Sequence, residues 1–254
     1  MYYGGHVREI EDIGELKSLG LDFGEVVIKN EASRSYWRSN KISPSAGDGF
    51  FLIAHGPHEG NPNSLENLEK NYMPALRETV LTARRMGINF LTTHLWMDSR
   101  YVSPEIISAK IGALHELREF GRQEGVTVSL ENLSESRADL KAILSVIPDL
   151  ALTLDIGHAE LLSDLNRSFE IIRDFGHSIK HVHVHDNRGG VGVKDDLHLP
   201  LGEGTIDFEG IFRELRESGY DRTITLELKP EEIKPSLIFL RNLIDRIAKT
   251  SSVN

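Results

Sequence analysis

Eight short β-rich runs recur along the chain, at Tyr2–Val7, Glu25–Lys29, Phe50–Ala54, Asn89–His94, Val126–Glu131, Ala151–Asp155, His181–His185 and Thr223–Glu227. Helical patterns fill most of the gaps between them, among them Ser64–Arg85, Pro104–Glu124, Leu161–Phe175 and Phe208–Ser218. Strands that alternate with helices imply βαβ units and a parallel sheet, because a parallel neighbour can be reached only through a long crossover. An open doubly wound sheet would place its ligand at one switch point and carry a G-x-G-x-x-G turn. No such turn follows a strand here, and the residues able to do chemistry come from six different strands. Eight βα units close instead into a (β/α)8 barrel, and the 254 residues suit one such domain spanning 1–254. There is no low-complexity tract or long linker.

Alternation within the strands says which residues face inward. In Val126-Thr127-Val128-Ser129-Leu130-Glu131 one face is Val, Val, Leu and the other Thr, Ser, Glu, so Glu131 shares its face with small polar residues. Thr223-Ile224-Thr225-Leu226-Glu227 and Thr153-Leu154-Asp155 repeat the pattern, and His181, His183 and His185 share one face of their strand. The apolar face packs on helices, and the other enters the barrel and ends on a histidine or carboxylate. Nine such residues sit at or just after run ends: His55, His94, Glu131, Asp155, His158, His183, Asp196, His198 and Glu227. Imidazole and carboxylate are ligands of zinc, manganese and related ions. A barrel that delivers all its strand ends to one rim gathers them into one metal site at its C-terminal face. A buried carboxylate is costly without a cation, and salt bridges to Lys or Arg cannot serve all nine residues at once.

Composition narrows the chemistry. The chain has no cysteine, which excludes disulfides, thiolate metal sites and cysteine nucleophiles. A formal charge of −10 argues against a nucleic-acid surface built on bulk electrostatics, though not against a local basic rim. Neither a signal peptide nor a membrane span is evident, so the cytoplasm is the expected compartment.

Three loops belong on the rim: Asn30–Asp48, read as a short helix and loop, the stretch from His55-Gly56-Pro57 to Ser64, and Asp186–Gly204. Asp155-Ile156-Gly157-His158 sends a carboxylate and an imidazole into one cavity across a tight turn. Asp196-Leu197-His198 is read as extended, with its alternate residues gripping one ion, and Gly202-Glu203-Gly204 as a turn before the next helix. His181 and His185 can support ligands or fill a barrel layer. His6, His58, His115 and His177 read mainly as structural or surface residues, His6 being the one placed to reach the rim.

The ordered set His55-Gly-Pro, Thr-His94, Glu131-Asn, Asp155-Ile-Gly-His158, His183-Val-His-Asp-Asn, Asp196-Leu-His198, Gly-Glu-Gly and Leu-Glu227 resembles the xylose isomerase-like TIM barrels, and within them AP endonuclease family 2, from about Met1 to Pro230. The resemblance implies up to three zinc ions. His55, His94 and Glu131 would hold one; Glu131, Asp155, His183 and Glu227 a second; His158, Asp196 and His198 a third. Departures at Glu131-Asn132-Leu133-Ser134, Asp155-Ile156-Gly157-His158 and His183-Val184-His185-Asp186-Asn187 look more like sugar phosphate isomerases and epimerases, and the tyrosine expected after His-Gly-Pro is His58.

Two mechanisms follow from the resemblance. In a phosphoester hydrolase, Glu131 bridges ions, Glu227 orients the attacking water, and Arg188, Lys194 and His185 contact a phosphorylated small molecule or abasic DNA. In an isomerase or epimerase, one Mn²⁺ or Mg²⁺ on Glu131, Asp155, His183 and Glu227 holds the sugar, and Glu131 and Glu227 move protons. The surplus of ligands favours the hydrolase. A metal-binding barrel without catalysis is the third class.

Overall fold

The computed structural model describes residues 1–40 and 49–250. Its strands are β1 (Tyr2–Val7), β2 (Phe23–Val27), β3 (Phe51–His55), β4 (Phe90–Thr93), β5 (Thr127–Glu131), β6 (Ala151–Asp155), β7 (Ile179–Val184) and β8 (Thr223–Leu226). They close into a barrel in chain order. Each neighbouring pair is parallel, and β1 seals the ring against β8. The expected (β/α)8 barrel is the fold.

The helices are α1 (Ile10–Ser18), α2 (Glu31–Ser39), α3 (Leu65–Asn67), α4 (Met73–Arg85), α5 (Pro104–Glu124), α6 (Arg137–Val146), α7 (Ser168–Phe175), α8 (Phe208–Glu217) and α9 (Pro230–Thr250). Helix α8 shows why they pack outside: Phe208, Ile211, Phe212 and Leu215 recur at helical spacing and are all buried. Each such side chain contributes about 1.5–3 kcal/mol on leaving water. The stretch Ser64–Arg85 is one helical path, starting where Ser64 accepts from the Asn67 N–H and passing through a π-helical turn at Leu68–Tyr72.

Several expected boundaries move. β2 starts at Phe23 rather than Glu25, β7 starts at Ile179, and β4, β7 and β8 each stop one residue early. His94, His185 and Glu227 are thus the first residues beyond their strands, and the Glu227 N–H still donates to the Val184 carbonyl at 3.1 Å. The helix expected from Leu161 begins only at Ser168. Leu161 and Leu162 offer their carbonyls to Arg167, Leu162 is left-handed (φ 54), and the Asn166 side chain caps the Ser168 N–H. The apolar spacing there imitates a helix, but Leu165 is exposed. Of the rim stretch Asn30–Asp48, the short helix is α2, and 41–48 lie outside the described residues.

The barrel interior is stratified. At its N-terminal end Phe23 stacks on Phe51 at 5.2 Å, with Phe90 close to His181. Above lies a polar layer in which Thr153 Oγ1 is 3.1 Å from Thr92 Oγ1 and 2.8 Å from Ser129 Oγ. The C-terminal end carries the histidines and acids.

Candidate metal centre

All nine residues converge on that C-terminal rim. Glu131 is the hub: its Oε2 lies 2.9 Å from His94 Nε2, 3.2 Å from His55 Nε2 and 3.4 Å from His183 Nδ1, while its Oε1 lies 3.1 Å from His158 Nδ1. His183 Nδ1 also faces Glu227 Oε1 at 3.2 Å and Asp155 Oδ2 at 3.8 Å. On the far side, Asp196 Oδ2 is 3.2 Å from His198 Nε2 and 3.4 Å from His158 Nε2. Glu131 and His158 therefore tie three overlapping groups into one pocket.

Local structure fixes these positions. Asn132 clamps the tips of β5 and β6, its amide donating to the Asp155 carbonyl and accepting from the Asp155 N–H, both at 2.9 Å. Asp155 Oδ1 accepts from the His158 N–H at 2.6 Å, which turns the Asp-Ile-Gly-His segment back over the barrel. Buried Tyr72 donates to the His94 carbonyl at 2.6 Å. Asp186 pins the loop carrying Asp196 and His198, accepting from the N–H groups of Asn187, Gly202 and Ile206. Gly204 permits that closure, because a Cβ there would lie 2.1 Å from Asp186 Oδ1. The backbone of His198 is left-handed (φ 46), not extended as read from the sequence, yet its ring still meets Asp196.

The donor set fits a divalent ion. His94 Nε2, Glu131 Oε1, Asp155 Oδ2 and His183 Nδ1 are buried without a hydrogen-bond partner. They crowd others of the set at distances close to the ~3.3 Å that separates two ligands of a tetrahedral zinc. Atoms this close that do not hydrogen-bond are aimed at a common point rather than at each other. Electrostatics agrees. Burial alone would raise Glu131, but His94 and His183 outweigh it and hold the carboxyl well below its ordinary range. Glu227 is burdened by burial in the same way and held low by His183 and His6. Against burial, Glu131 lifts His55 to about 9, and Asp196 and Glu227 lift His198 to about 9.

The other candidates divide. His185 is fully buried, 3.2 Å from Asp155 Oδ1 and stacked at 3.8 Å on His198, and it lies close enough to His158, Asp196 and His198 to share one ion with them. Arg188 and Lys194 are exposed on the loop after β7, Arg188 donating to the Glu203 carbonyl. Among the described residues neither bonds to the nine. His115 and His177 are surface residues, and His58 sits on the rim beside His94. Sequence reasoning placed His6 within reach of the rim and passed over Glu25. His6 Nε2 lies 2.9 Å from Glu227 Oε1, and its place at the end of β1 was the available signal. Glu25 is buried between His181 and His183; a carboxylate inside an apolar run was the clue.

With this geometry, the match of residues 14–243 to the model of the xylose isomerase-like TIM barrels is decisive. The chain belongs to that family. A similar relative is an uncharacterized protein of Methanocaldococcus jannaschii, 32% identical over 70% of this chain and 64% of that protein. A probable endonuclease 4 of a Thermotoga strain is 24% identical over 60% of this chain and 61% of its own length. The chain spans 64% of the length of each of the first two M. jannaschii relatives it matches. Among solved structures, a D-tagatose 3-epimerase-like protein superposes with a TM-score of 0.79, 24% identity, and coverage of 99% of this chain and 100% of that one, which speaks to the fold. Among the described residues no helix is long and apolar enough to cross a membrane.

Proposed function

We propose that this family member is a phosphoester hydrolase with up to three zinc ions, acting on a phosphorylated small molecule or abasic DNA. One observation carries the reading: ligand atoms gather into several groups in one pocket, more than a single ion can use. Among them are His55 with His94 and Glu131, Glu131 with Asp155 and His183, and His158 with His185, Asp196 and His198. Charge points the same way. One divalent ion would leave Glu131, Asp155, Asp196 and Glu227 net negative and hostile to phosphate, whereas three leave the pocket net positive.

His55, His94 and Glu131 would hold one ion, Glu131, Asp155, His183 and Glu227 a second, and His158, Asp196 and His198 a third. Ions so placed polarise phosphoryl oxygens and make water more acidic. Glu227, flanked by His6 and His183, would bind a metal and orient the attacking water. Asp196 and His198 fix the far side of the phosphate site. Arg188 and Lys194 add positive charge at the mouth, and buried His185 steadies His198 from below.

A metal-dependent sugar or sugar-phosphate isomerase or epimerase is the second reading. It is favoured by Glu131 and Glu227 flanking His183 Nδ1 at 3.4 and 3.2 Å, as an acid–base pair around one Mn²⁺ or Mg²⁺ would. His198→Ala separates the two. A hydrolase should lose ~100-fold or more in rate, together with about one zinc per chain. An isomerase keeps its proton-transfer pair and shows a mild change in KM. The assay runs both proteins on an abasic-site oligonucleotide, a generic phosphodiester and a panel of ketoses and their phosphates, with metal analysis. Sugar interconversion by the wild type that survives the substitution overturns the hydrolase.

A further inference from the structure

Glu25 lies in the middle of β2, below the rim and outside the nine ligands, and is fully buried. A carboxylate in such a place is expensive unless strong donors surround it. It has two. His183 Nε2 stands 3.2 Å from its Oε1 and 3.1 Å from its Oε2, and His181 Nε2 stands 3.3 Å from Oε2. His181 is held in turn, with Nδ1 2.8 Å from Thr223 Oγ1 and Nε2 3.1 Å from Thr225 Oγ1. The carboxylate therefore sits in a rigid frame.

The His183 ring spans two environments. Its Nε2 edge faces Glu25, and its Nδ1 edge faces Glu131, Asp155 and Glu227 at 3.4, 3.8 and 3.2 Å, with no hydrogen bond made there. A neutral imidazole has one N–H and one lone pair. With a divalent ion between Nδ1 and those acids, the Nδ1 lone pair is needed as a ligand, and Glu25, which as an ionised carboxylate can only accept, takes the one hydrogen on Nε2. We infer that Glu25 is the positioning residue of the metal centre: it locks His183 in the Nε2–H tautomer and so presents Nδ1 as the ligand at the point where the ion groups overlap. An acceptor behind a ligating histidine fixes ring orientation and raises ligand basicity. The inference rests on the metal-centre reading above, through the role of His183, and is indifferent to which reaction the centre serves.

An amide in place of Glu25 would reverse the arrangement. Its NH2 could donate to Nε2 and drive the hydrogen onto Nδ1, where it blocks the ligand position. The full chain, stripped of metal, is therefore titrated with Zn²⁺ and with Co²⁺ against a competing chelator, as wild type, Glu25→Gln and Glu25→Ala. Affinity should fall ~10–100-fold in both variants, and the visible bands of the bound Co²⁺ should change in position and intensity. Wild-type binding with no weakening in either variant overturns the role of Glu25 alone. A wild type that takes up neither ion overturns the metal-centre reading and this inference with it. Should the variants fail to fold, ¹⁵N NMR of histidine-labelled wild-type protein loaded with Zn²⁺ decides the matter. The expected spectrum has the hydrogen of His183 on Nε2 and the metal on Nδ1, and the reverse assignment refutes the inference.

Discussion

Gly157 has no side chain because the His185 ring occupies its place. A Cβ there would lie 2.0 Å from His185 Cε1 and 2.3 Å from its Nε2. His185 cannot retreat, since its other face stacks on His198 at 3.8 Å. An added methyl would have to displace both rings, and overpacking of this kind costs about 1–3 kcal/mol. Gly157→Ala is expected to lower the melting temperature and, on the proposed function, also to weaken zinc binding at His158, Asp196 and His198. Denaturation curves with zinc analysis on the same samples check it, and a variant that melts lower yet keeps full zinc would separate packing from the centre. The motif Asp155-Ile156-Gly157-His158 was legible as a turn that brings a carboxylate and an imidazole into one cavity. The reason for its glycine was not, because the ring it accommodates comes from the next strand. Glu25 escaped notice for a similar cause: β2 is buried on both faces, so Phe23, Val26 and Val27 blur the alternation that made Glu131 stand out.

At the scale of elements, the centre depends on how strand tips are joined. The Asn132 side chain satisfies both the N–H and the carbonyl of Asp155, so the last residues of β5 and β6 move as one. The loops beyond β3 and β4 are joined by a buried ion pair, with Lys110 on α5 2.6 Å from Glu59 and 2.7 Å from the Trp96 carbonyl. Asn132→Ala leaves two buried backbone groups unpaired, which costs about 1–3 kcal/mol. The variant should be less stable in urea and bind zinc more weakly, because Glu131 and Asp155 lose their common anchor. Unaltered zinc affinity in a destabilised variant would show that the strands hold their register without it. The sequence places strand tips well, since hydrophobic period ends there. It says little about the long loop after β7, where Arg188 and Lys194 announce charge but not direction.

The whole molecule binds protons through this pocket, and its stability must follow them. His55 and His198 titrate near 9 in the folded, metal-free protein, above the ordinary 6.5 of the unfolded chain. Their contribution is full below about pH 6.5 and is lost as the pH rises through 9. Glu131 and Glu227, held well below 4.5, act oppositely: their contribution is present above 4.5 and disappears as the pH falls. Urea unfolding of metal-free protein should thus show greatest stability between about pH 5 and 6.5, with a decline on either side. A stability that keeps rising from pH 6.5 to 9 would contradict these couplings. Much of the barrel was legible because eight repeated units leave few ways to close. The polar layer of Thr92, Ser129 and Thr153 in its interior was foreshadowed only by the small residues on the inward faces of β5 and β6.

The closure of β1 on β8 has a bearing on how the chain is made. His6 and Glu227 meet at 2.9 Å across that seam, one from the first strand and one from just beyond the last. During synthesis the ribosome delivers seven strands before the eighth exists, and domains assemble as their residues emerge. A nascent chain therefore carries an open sheet with two unpaired edges and a half-built nest of acids and imidazoles until β8 is released. Of the nine rim residues only Glu227 arrives with that strand, so the group it completes is the one part of the nest that must wait for the end of translation.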